Sequence, residues 1–502
     1  MVATFMVVLD SSVANVALPH IAGNLSATTD EATWVLTMYL TANAVILPAT
    51  GWLAIRMGRR RFLVFSVVAF TLASLLCGAA STLGLLVFAR ILQGIGGGGL
   101  QPVAQAVLLE TFPPVKRGVA MAFYGMGVVV APIIGPTLGG WITDNYSWRW
   151  IFYINLPIGI LAVLMILAFV EDPPYLKAAR QATIDYRGVL LMVVGIGSLQ
   201  LVLDKGQRED WFSSDLICGL AVLAVVTLVI FLVAEWRTPH PIVDLRILHN
   251  RNFTVGTAMG MVMGAVLYST TALLPIFLQT LMGYPAMNAG LAVTPRGVGA
   301  LFSMMLVGRL VGKVDERLLV GIGFAFLGYS SWMLGDITLD ISMSSVVWPN
   351  VLSGLAMGFV FVPLTTAAMG TLSNEEMGNA SGIYNLMRNI GGAAGIALTT
   401  TFLARFAQAH QVYLVAHMTP FDPIYQQHLH AIASGLATRM DAFAAGQAAQ
   451  AVMYGILQRQ CALAAFVETF RWLAFLSFGC IPLLILFHRA QPHEAAVKGD
   501  AQ

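Results

Sequence analysis

Long apolar runs alternate with short polar segments along most of the chain. Each run covers roughly 17–25 residues, the length that an α-helix needs to cross the hydrocarbon core of a bilayer. The pattern predicts about fourteen membrane-spanning helices, numbered here in chain order as spans 1 to 14. They begin near Val2, Ala32, Phe62, Leu85, Val119, Trp150, Val189, Leu216, Phe253, Leu291, Leu318, Val346, Ala380 and Ala462. We therefore expect an all-α integral membrane protein.

Composition agrees with this pattern. Of the 502 residues, 58% are hydrophobic and 10% are charged, and the mean hydropathy is +0.77. Soluble domains carry roughly 25% charged residues, so the chain is expected to lie in a lipid bilayer. The net charge of +2 does not indicate nucleic-acid binding. The four cysteines lie in or beside apolar runs and predict neither a metal site nor a disulfide framework.

Basic residues predict the orientation of the spans. Lys and Arg are concentrated in one set of loops, including residues 56–61 after span 2 and Lys116–Arg117 after span 4, whereas the opposite loops hold few. Basic loops remain in the cytoplasm. Both termini are therefore expected to face the cytoplasm.

A repeated motif predicts the domain organisation. GWLAIRMGRRR (51–61) follows span 2, and GRLVGKVDERL (308–318) follows span 10. The repeat predicts two six-helix halves, residues 1–170 and 253–490, which is the design of major facilitator transporters. Residues 171–252 would form a cytoplasmic linker with two inserted spans, and residues 491–502 a cytoplasmic tail.

A long external segment, residues 405–460, is predicted within the second half. Residues 423–440 and 441–460 each have the pattern of an amphipathic helix that is too polar to span a membrane. The segment is interpreted either as a cap over the external mouth or as a docking surface for a periplasmic partner.

Catalytic and nucleotide-binding motifs do not account for the chain. The sequence has no P-loop, no H-E-x-x-H and no G-x-S-x-G. The glycines of GIGGGG (94–99) fall inside an apolar run instead of following a strand, so they indicate close helix packing and not nucleotide binding. We therefore expect a protein that is not an enzyme and has no metal site.

Asp10 is the one acid that clearly falls within a predicted span. A charge at the bilayer centre costs roughly 3 kcal/mol on insertion scales, so we expect Asp10 to gain and lose a proton, as a proton-coupled carrier requires. Alternatively, it is a permanently neutral or salt-bridged acid that holds helices together. Arg90 in span 4 is interpreted as its packing partner or as a fixed charge that tunes the proton site. Span 1 has few residues before Asp10, so either the helix barely fits the membrane or the native chain starts upstream.

Other polar side chains in the spans are candidates for lining a substrate cavity, although each also fits a helix–helix hydrogen bond. Arg296 in particular would face either an anionic substrate or backbone carbonyls. With few acids nearby, such a cavity favours neutral or weakly acidic lipophiles. The candidates are Asn15, Tyr39, Asn43, Gln93, Gln101, Gln105, Asn155, Arg296, Tyr384, Asn385 and Arg388.

Taken in order, LDSSVANVALP, GWLAIRMGRRR, RILQGIGGGG, APIIGPTLGG, WRWIFYINLPIG and LDKGQREDWFSS resemble the fourteen-span drug:proton antiporters of the major facilitator superfamily. Within that family the chain is most similar to EmrB-type permeases. The resemblance implies proton-driven export of lipophilic toxic compounds across a bacterial inner membrane, with the proton gradient as energy source and no cofactor. It also implies an EmrA-like periplasmic adaptor and a TolC-like outer-membrane channel as partners.

The resemblance also assigns roles to particular residues. Asp10 and Arg90 match the family's proton-coupling pair. The first-loop motif and the antiporter motif of span 5, both expected to act in gating, are matched by Gly51, Arg56, Gly58, Arg59, Gly135, Pro136, Gly139 and Gly140. One departure is Ile55, at a position where the family has an aspartate that pairs across the two halves.

Two other functions stay open from the sequence. The same fold supports proton-coupled transport of a specific metabolite or fatty acid. A transport-inactive membrane sensor or scaffold would keep the fold without needing a proton site.

Overall fold

The computed structural model describes residues 1–173, 185–238, 241–416 and 418–487. The described residues contain fourteen helices that are long and apolar enough to cross a membrane, as predicted. In chain order, spans 1 to 14 are Val2–Asn24, Asp30–Met57, Arg59–Ala79, Leu83–Thr111, Lys116–Asn145, Trp150–Phe169, Tyr186–Lys205, Asp215–Arg237, Arg251–Thr280, Asn288–Leu310, Glu316–Leu334, Ser344–Met369, Met377–Val415 and Ala442–Leu486. The predicted tail 491–502 and most of the linker 171–188 lie outside the described residues.

Small residues let the helices of the first half approach closely. A Cβ added at Gly94 would lie 2.5 Å from the Tyr39 carbonyl oxygen, and one at Gly98 would lie 2.8 Å from that of Asn43. On another side of the same helix, a Cβ at Gly96 would lie 2.7 Å from the backbone nitrogen of Phe70. The glycines of GIGGGG therefore pack span 4 against spans 2 and 3.

The two copies of the loop motif form similar sharp turns. Gly58 ends span 2 with φ +85°, and Gly312 follows span 10 with the same φ. Glycine occupies this left-handed region without the steric cost of a side chain. When the copies are aligned on Gly51 and Gly308, the glycine with positive φ comes three positions earlier in the second copy. The two copies therefore share the shape of the turn but not its position in the motif.

The two halves meet on the face at which span 1 begins, the predicted cytoplasmic face. A Cβ at Gly51 would lie 2.7 Å from the backbone nitrogen of Asn379 in span 13. Spans 5 and 10 are as close on this face, since a Cβ at Gly118 would lie 2.6 Å from Val311, the residue directly after span 10. The structure is therefore closed on this face. The domain boundaries at residues 170 and 253 stay predictions.

The end of span 7 and the loop that follows it connect the two halves on the opposite face. Asp204 at the end of span 7 accepts a hydrogen bond from Thr37 of span 2 (2.5 Å), and Lys205 donates to Thr33 (2.8 Å). In the loop that follows, the Trp211 indole donates to Thr401 of span 13 (3.0 Å). The motif LDKGQREDWFSS thus forms a strap between the halves.

The external segment differs from its prediction in one respect. The first amphipathic helix is present as Pro423–Leu436. The second is not separate, because residues 442–460 begin one continuous helix, Ala442–Phe478, and span 13 likewise continues to Val415. The helix Ala442–Phe478 contains no proline to interrupt its hydrogen bonds. Its 37 residues reach about 55 Å, beyond a hydrocarbon core of about 30 Å, so the helices project out of the membrane.

Candidate functional site: a buried Asp10–Arg90 network

Asp10 lies at the centre of a buried hydrogen-bond network. One carboxylate oxygen is 2.5 Å from Nη1 of Arg90. The other accepts hydrogen bonds from the side-chain amides of Gln93 (2.9 Å) and Asn155 (2.7 Å). The Asp10 and Arg90 side chains are 1% and 0% exposed. The Asp10 carboxylate therefore accepts three hydrogen bonds while it is almost completely buried.

Arg90 is held by further groups on neighbouring helices. Its Nε donates to the Val35 carbonyl (3.2 Å), and its Nη1 also donates to Gln93 (2.7 Å). The guanidinium carbon lies 4.1 Å from the centroid of the Tyr39 ring, within the range of a favourable cation–π contact. Arg90 is thus fixed between spans 2 and 4, and a change at Asp10 would disturb both helices.

The network lies inside the first six-helix half and not between the halves. Asn155 extends it to span 3 by donating to Ser74 Oγ (2.9 Å), which donates to the Phe152 carbonyl (2.8 Å). Three candidates for the cavity lining, Tyr39, Gln93 and Asn155, therefore lie around the Asp10–Arg90 pair.

The antiporter motif of span 5 packs against span 1 directly after Asp10. A Cβ at Gly135 would lie 2.4 Å from Ser12 Oγ, and one at Gly139 would lie 2.9 Å from Val13. Gly140 has no heavy atom within 4 Å of such a Cβ, and Pro136 is exposed. Only Gly135 and Gly139 are therefore required by this packing.

A second polar cluster joins the halves near the predicted cytoplasmic face. Gln105 of span 4 accepts hydrogen bonds from Ser381 (3.1 Å) and Asn385 (2.7 Å) of span 13. Arg388 donates to Gln101 at 3.4 Å and to Asn385 at 2.9 Å. Side-chain amides and hydroxyls thus hold this side closed, although Ile55 replaces the family's pairing aspartate.

The first-loop motif contributes contacts within its own half. Arg59 forms a buried bidentate ion pair with Glu110 at the end of span 4. The Arg56 guanidinium lies 5.7 Å from the Trp52 ring centroid. Arg59 therefore braces the turn at Gly58 against span 4.

The remaining cavity candidates are dispersed. Asn15 is exposed, Asn43 is half-buried, and Tyr384 is buried within the second half, with its hydroxyl 3.5 Å from Thr365. Arg296 is buried on span 10 and donates to Thr271 of span 9. The structure does not join these four residues into one site.

Sequence reasoning missed several partners. Ser74, Ser381 and Glu110 complete the networks described above, and Cys77 lies 3.5 Å from Gln93. Glu110 had a usable signal, since it is an acid at the end of an apolar run opposite a basic turn. Serines give no such signal, because they occur throughout membrane helices as packing residues.

The described residues thus contain fourteen helices of membrane length, a repeated turn and a buried charged pair, which together are typical of a membrane transporter. A family model described as Major Facilitator Superfamily matches residues 1–396. The chain belongs to this superfamily, so the expectation of a transporter, and not an enzyme, is confirmed.

Within the superfamily, the chain is similar to individual bacterial export and resistance proteins. The multidrug export protein EmrB of Escherichia coli (strain K12) is 42% identical over 424 residues, covering 84% of this chain and 82% of that protein. The fatty acid resistance protein FarB of Neisseria gonorrhoeae is 41% identical over 440 residues, covering 87% and 85%. The resemblance to EmrB-type permeases is thus confirmed.

Solved structures agree on the fold. The proton:xylose symporter XylE superposes with a TM-score of 0.59 at 14% identity, covering 97% of this chain and 98% of that one. The human organic anion transporter MFSD10 gives a TM-score of 0.58 at the same identity, covering 95% and 98%. At such identity the likeness concerns the fold alone.

Proposed function

We propose that this protein exports lipophilic toxic compounds across the bacterial inner membrane in exchange for protons, with both termini in the cytoplasm. The observation that carries the proposal is the sealed Asp10–Arg90 pair. An ionisable group inside a membrane is expensive and therefore marks a functional site. The similarity to the multidrug export protein EmrB supports the choice of substrate.

The proton acts by changing what Asp10 binds. Protonation from the external side removes the charge that holds Arg90, and release to the cytoplasm restores it. Span 5 packs on span 1 at Ser12 and Val13, so it would follow this change. Because span 5 also packs along span 10 of the second half, a movement at Asp10 can reach the interface between the halves.

Substrate enters from the cytoplasm or the inner leaflet once the contacts around Gln105 open. Coupling requires that the substrate bind the two arrangements of the halves with different affinity, because a ligand without that difference shifts no equilibrium. The proton gradient supplies the energy, and no cofactor is needed.

The permease works as part of a tripartite pump, with an EmrA-like adaptor and a TolC-like channel. The projecting helices support this part of the proposal, since they reach beyond the membrane. Phe443 near the start of one helix is 76% exposed, and Phe421 in the turn before Pro423–Leu436 is 92% exposed. Replacing residues 423–436 with a short flexible linker should abolish pull-down of the adaptor. Unchanged pull-down at equal expression would contradict the assignment.

A fatty acid is a second candidate substrate, and the observation that favours it is the similarity to the fatty acid resistance protein FarB. A sensor or scaffold is the remaining alternative. It predicts no substrate-dependent proton movement at all.

The experiment is proton release from inverted membrane vesicles with an imposed pH gradient. Adding a substrate should dissipate the gradient in the wild type and not in Asp10→Asn. Asp144→Asn is the matched control, because Asp144 is an exposed acid at the end of span 5. If Asp10→Asn behaves as the wild type does, Asp10 is a packing residue.

A further inference from the structure

Glu235, near the end of span 8, is a buried acid that the Asp10 network does not include. It is 1% exposed, and its Oε2 accepts a hydrogen bond from the backbone nitrogen of Val243 (3.1 Å). Its Oε1 has no hydrogen-bond partner among the residues that the structure describes. A buried carboxylate oxygen that accepts no hydrogen bond is costly when the group is charged. The contacts around Oε1 therefore do not support the ionised form.

Asp185 directs a second carboxylate oxygen toward the same place. It caps the start of span 7, where its Oδ1 accepts hydrogen bonds from the backbone nitrogens of Arg187 (3.1 Å) and Gly188 (3.0 Å). A Cβ added at Gly188 would lie 2.5 Å from Glu235 Oε1 and 2.7 Å from Asp185 Oδ2. The two oxygens therefore border one small space beside Gly188.

The space beside Gly188 is sheltered from solvent and bordered by acids. Ile242, which is 2% exposed, covers it, with its Cδ1 3.1 Å from the same Cβ position. Neither Glu235 nor Asp185 forms an ion pair within the described ranges of the chain. The other titratable side chains on the elements packed around Glu235 are exposed. They are Tyr186, Arg187, Arg237, Asp244, Arg246 and His249. Two ionised carboxylates that face one sheltered space repel each other, whereas a proton on one of them removes the repulsion.

Glu235 also holds a segment that binds span 13. Val243, which donates to Glu235, is followed by Asp244. The backbone nitrogen of Asp244 donates to Asn379 Oδ1 (3.2 Å), and Asn379 Nδ2 donates to the Asp244 carbonyl (2.8 Å). Asn379 packs on Gly51 where the two halves meet on the predicted cytoplasmic face. A change at Glu235 can therefore reach the contact that closes this face.

We propose that Glu235 and Asp185 form a proton-binding site on the cytoplasmic face, separate from Asp10, that favours the closed arrangement of the halves when a proton is bound. The proton comes from the cytoplasm and binds Glu235 Oε1. When it returns to cytoplasmic water, the two charges repel across Gly188 and the hold on segment 242–244 weakens. Because the closed arrangement binds the proton more tightly, closure is favoured as the pH falls and is lost as it rises. Cytoplasmic pH thus regulates access to the cavity, whichever substrate is exported.

Labelling of a cysteine at the interface tests this in the purified full chain in phosphatidylcholine nanodiscs. A Cβ at Gly378 would lie 3.5 Å from Gly51 Cα, so Gly378→Cys places a thiol between the halves without a clash. Its maleimide labelling rate is divided by that of Lys313→Cys, an exposed position on the same face, which corrects for ionisation of the thiol. Both are made in the Asp10→Asn background, where the acid of span 1 cannot titrate, and the chain without an added cysteine is the blank.

Raising the pH from about 5.5 to about 8.5 should increase the corrected rate at least about threefold, within the limit of about tenfold per pH unit that one linked proton sets. Glu235→Gln, which keeps a donor where the proton binds, should make the rate slow at every pH. Glu375→Gln is the matched control and should keep the pH dependence, because Glu375 is an exposed acid on the same face. If Glu235→Gln does not fold, Asp185→Asn carries the test, since loss of the second charge should weaken the pH dependence.

An equal pH dependence with and without Glu235→Gln overturns the proposal, as does a rate that does not change with pH in the Asp10→Asn background. A rate that responds to replacement of K⁺ by choline, and not to pH, also overturns it, because the site would then bind a metal cation. Failure of the export function has a different signature. Labelling would still depend on pH and on Glu235, but no substrate would release protons from vesicles.

Discussion

Removing the Arg90 charge should destabilise the protein strongly at neutral pH. Arg90→Gln leaves the Asp10 carboxylate in a site where its side chain is 1% exposed. Breaking one side of a buried ion pair costs about 3–5 kcal/mol. The penalty has an upper limit, because an ordinary aspartate takes up a proton at pH 7 for about 4 kcal/mol. We therefore expect a loss of about 3–4 kcal/mol at pH 7.

The same reasoning gives a pH dependence and a coupling energy. At pH 5 the protonation cost is about 1.5 kcal/mol, so the Arg90→Gln penalty should shrink as the pH falls. Asp10→Asn combined with Arg90→Gln removes both charges and should be less destabilised than the sum of the single variants, by about 2 kcal/mol or more.

The assay is equilibrium unfolding of the purified protein in mixed micelles, followed by tryptophan fluorescence at both pH values. Arg471 and Asp336 provide the control cycle, because they form a 3.0 Å pair with side chains 45% and 54% exposed. That pair should couple by at most about 1 kcal/mol. If the Asp10 and Arg90 variants add within about 0.5 kcal/mol, or if the penalty is the same at pH 5, the charge-burial argument is refuted.

Two further predictions concern packing and the strap. Gly135→Val should abolish export, because the valine side chain would collide with Ser12. Gly140→Ala should export normally, since a Cβ at Gly140 meets open space. Drug-resistance assays at equal expression check both variants. Trp211→Phe keeps the ring but loses the hydrogen bond to Thr401, so it should increase maleimide labelling of a cysteine placed on the external face of span 13. Unchanged labelling would show that the strap does not restrain the halves.

Length and polarity were enough to predict the spans, because an apolar run of membrane length has few other stable structures. The pairing of Asp10 with Arg90 could also be foreseen, since two opposite charges in lipid each need a partner. Gln93 and Asn155 were assigned to the lining of a substrate cavity, and the structure places both beside Asp10. Their polar character marks them as buried hydrogen-bonding groups, but the rotation of several packed helices decides which neighbour they meet.

The external segment shows that a polarity pattern does not predict where a helix ends. Polarity indicated that residues 441–460 do not span the membrane, but it also suggested a separate element. Helix continuity depends on unbroken backbone hydrogen bonds and not on burial. A helix can therefore leave the membrane without a break in its sequence pattern, as Ala442–Phe478 does.

The most direct test of the central claim separates coupling from transport in liposomes that contain only the purified protein. Wild type should accumulate a labelled substrate against its gradient when a pH gradient is imposed, and should also exchange it at equilibrium. Asp10→Asn should retain equilibrium exchange and lose accumulation, because its side chain cannot change charge. Accumulation by Asp10→Asn at the wild-type level would contradict the account and assign the proton to another group.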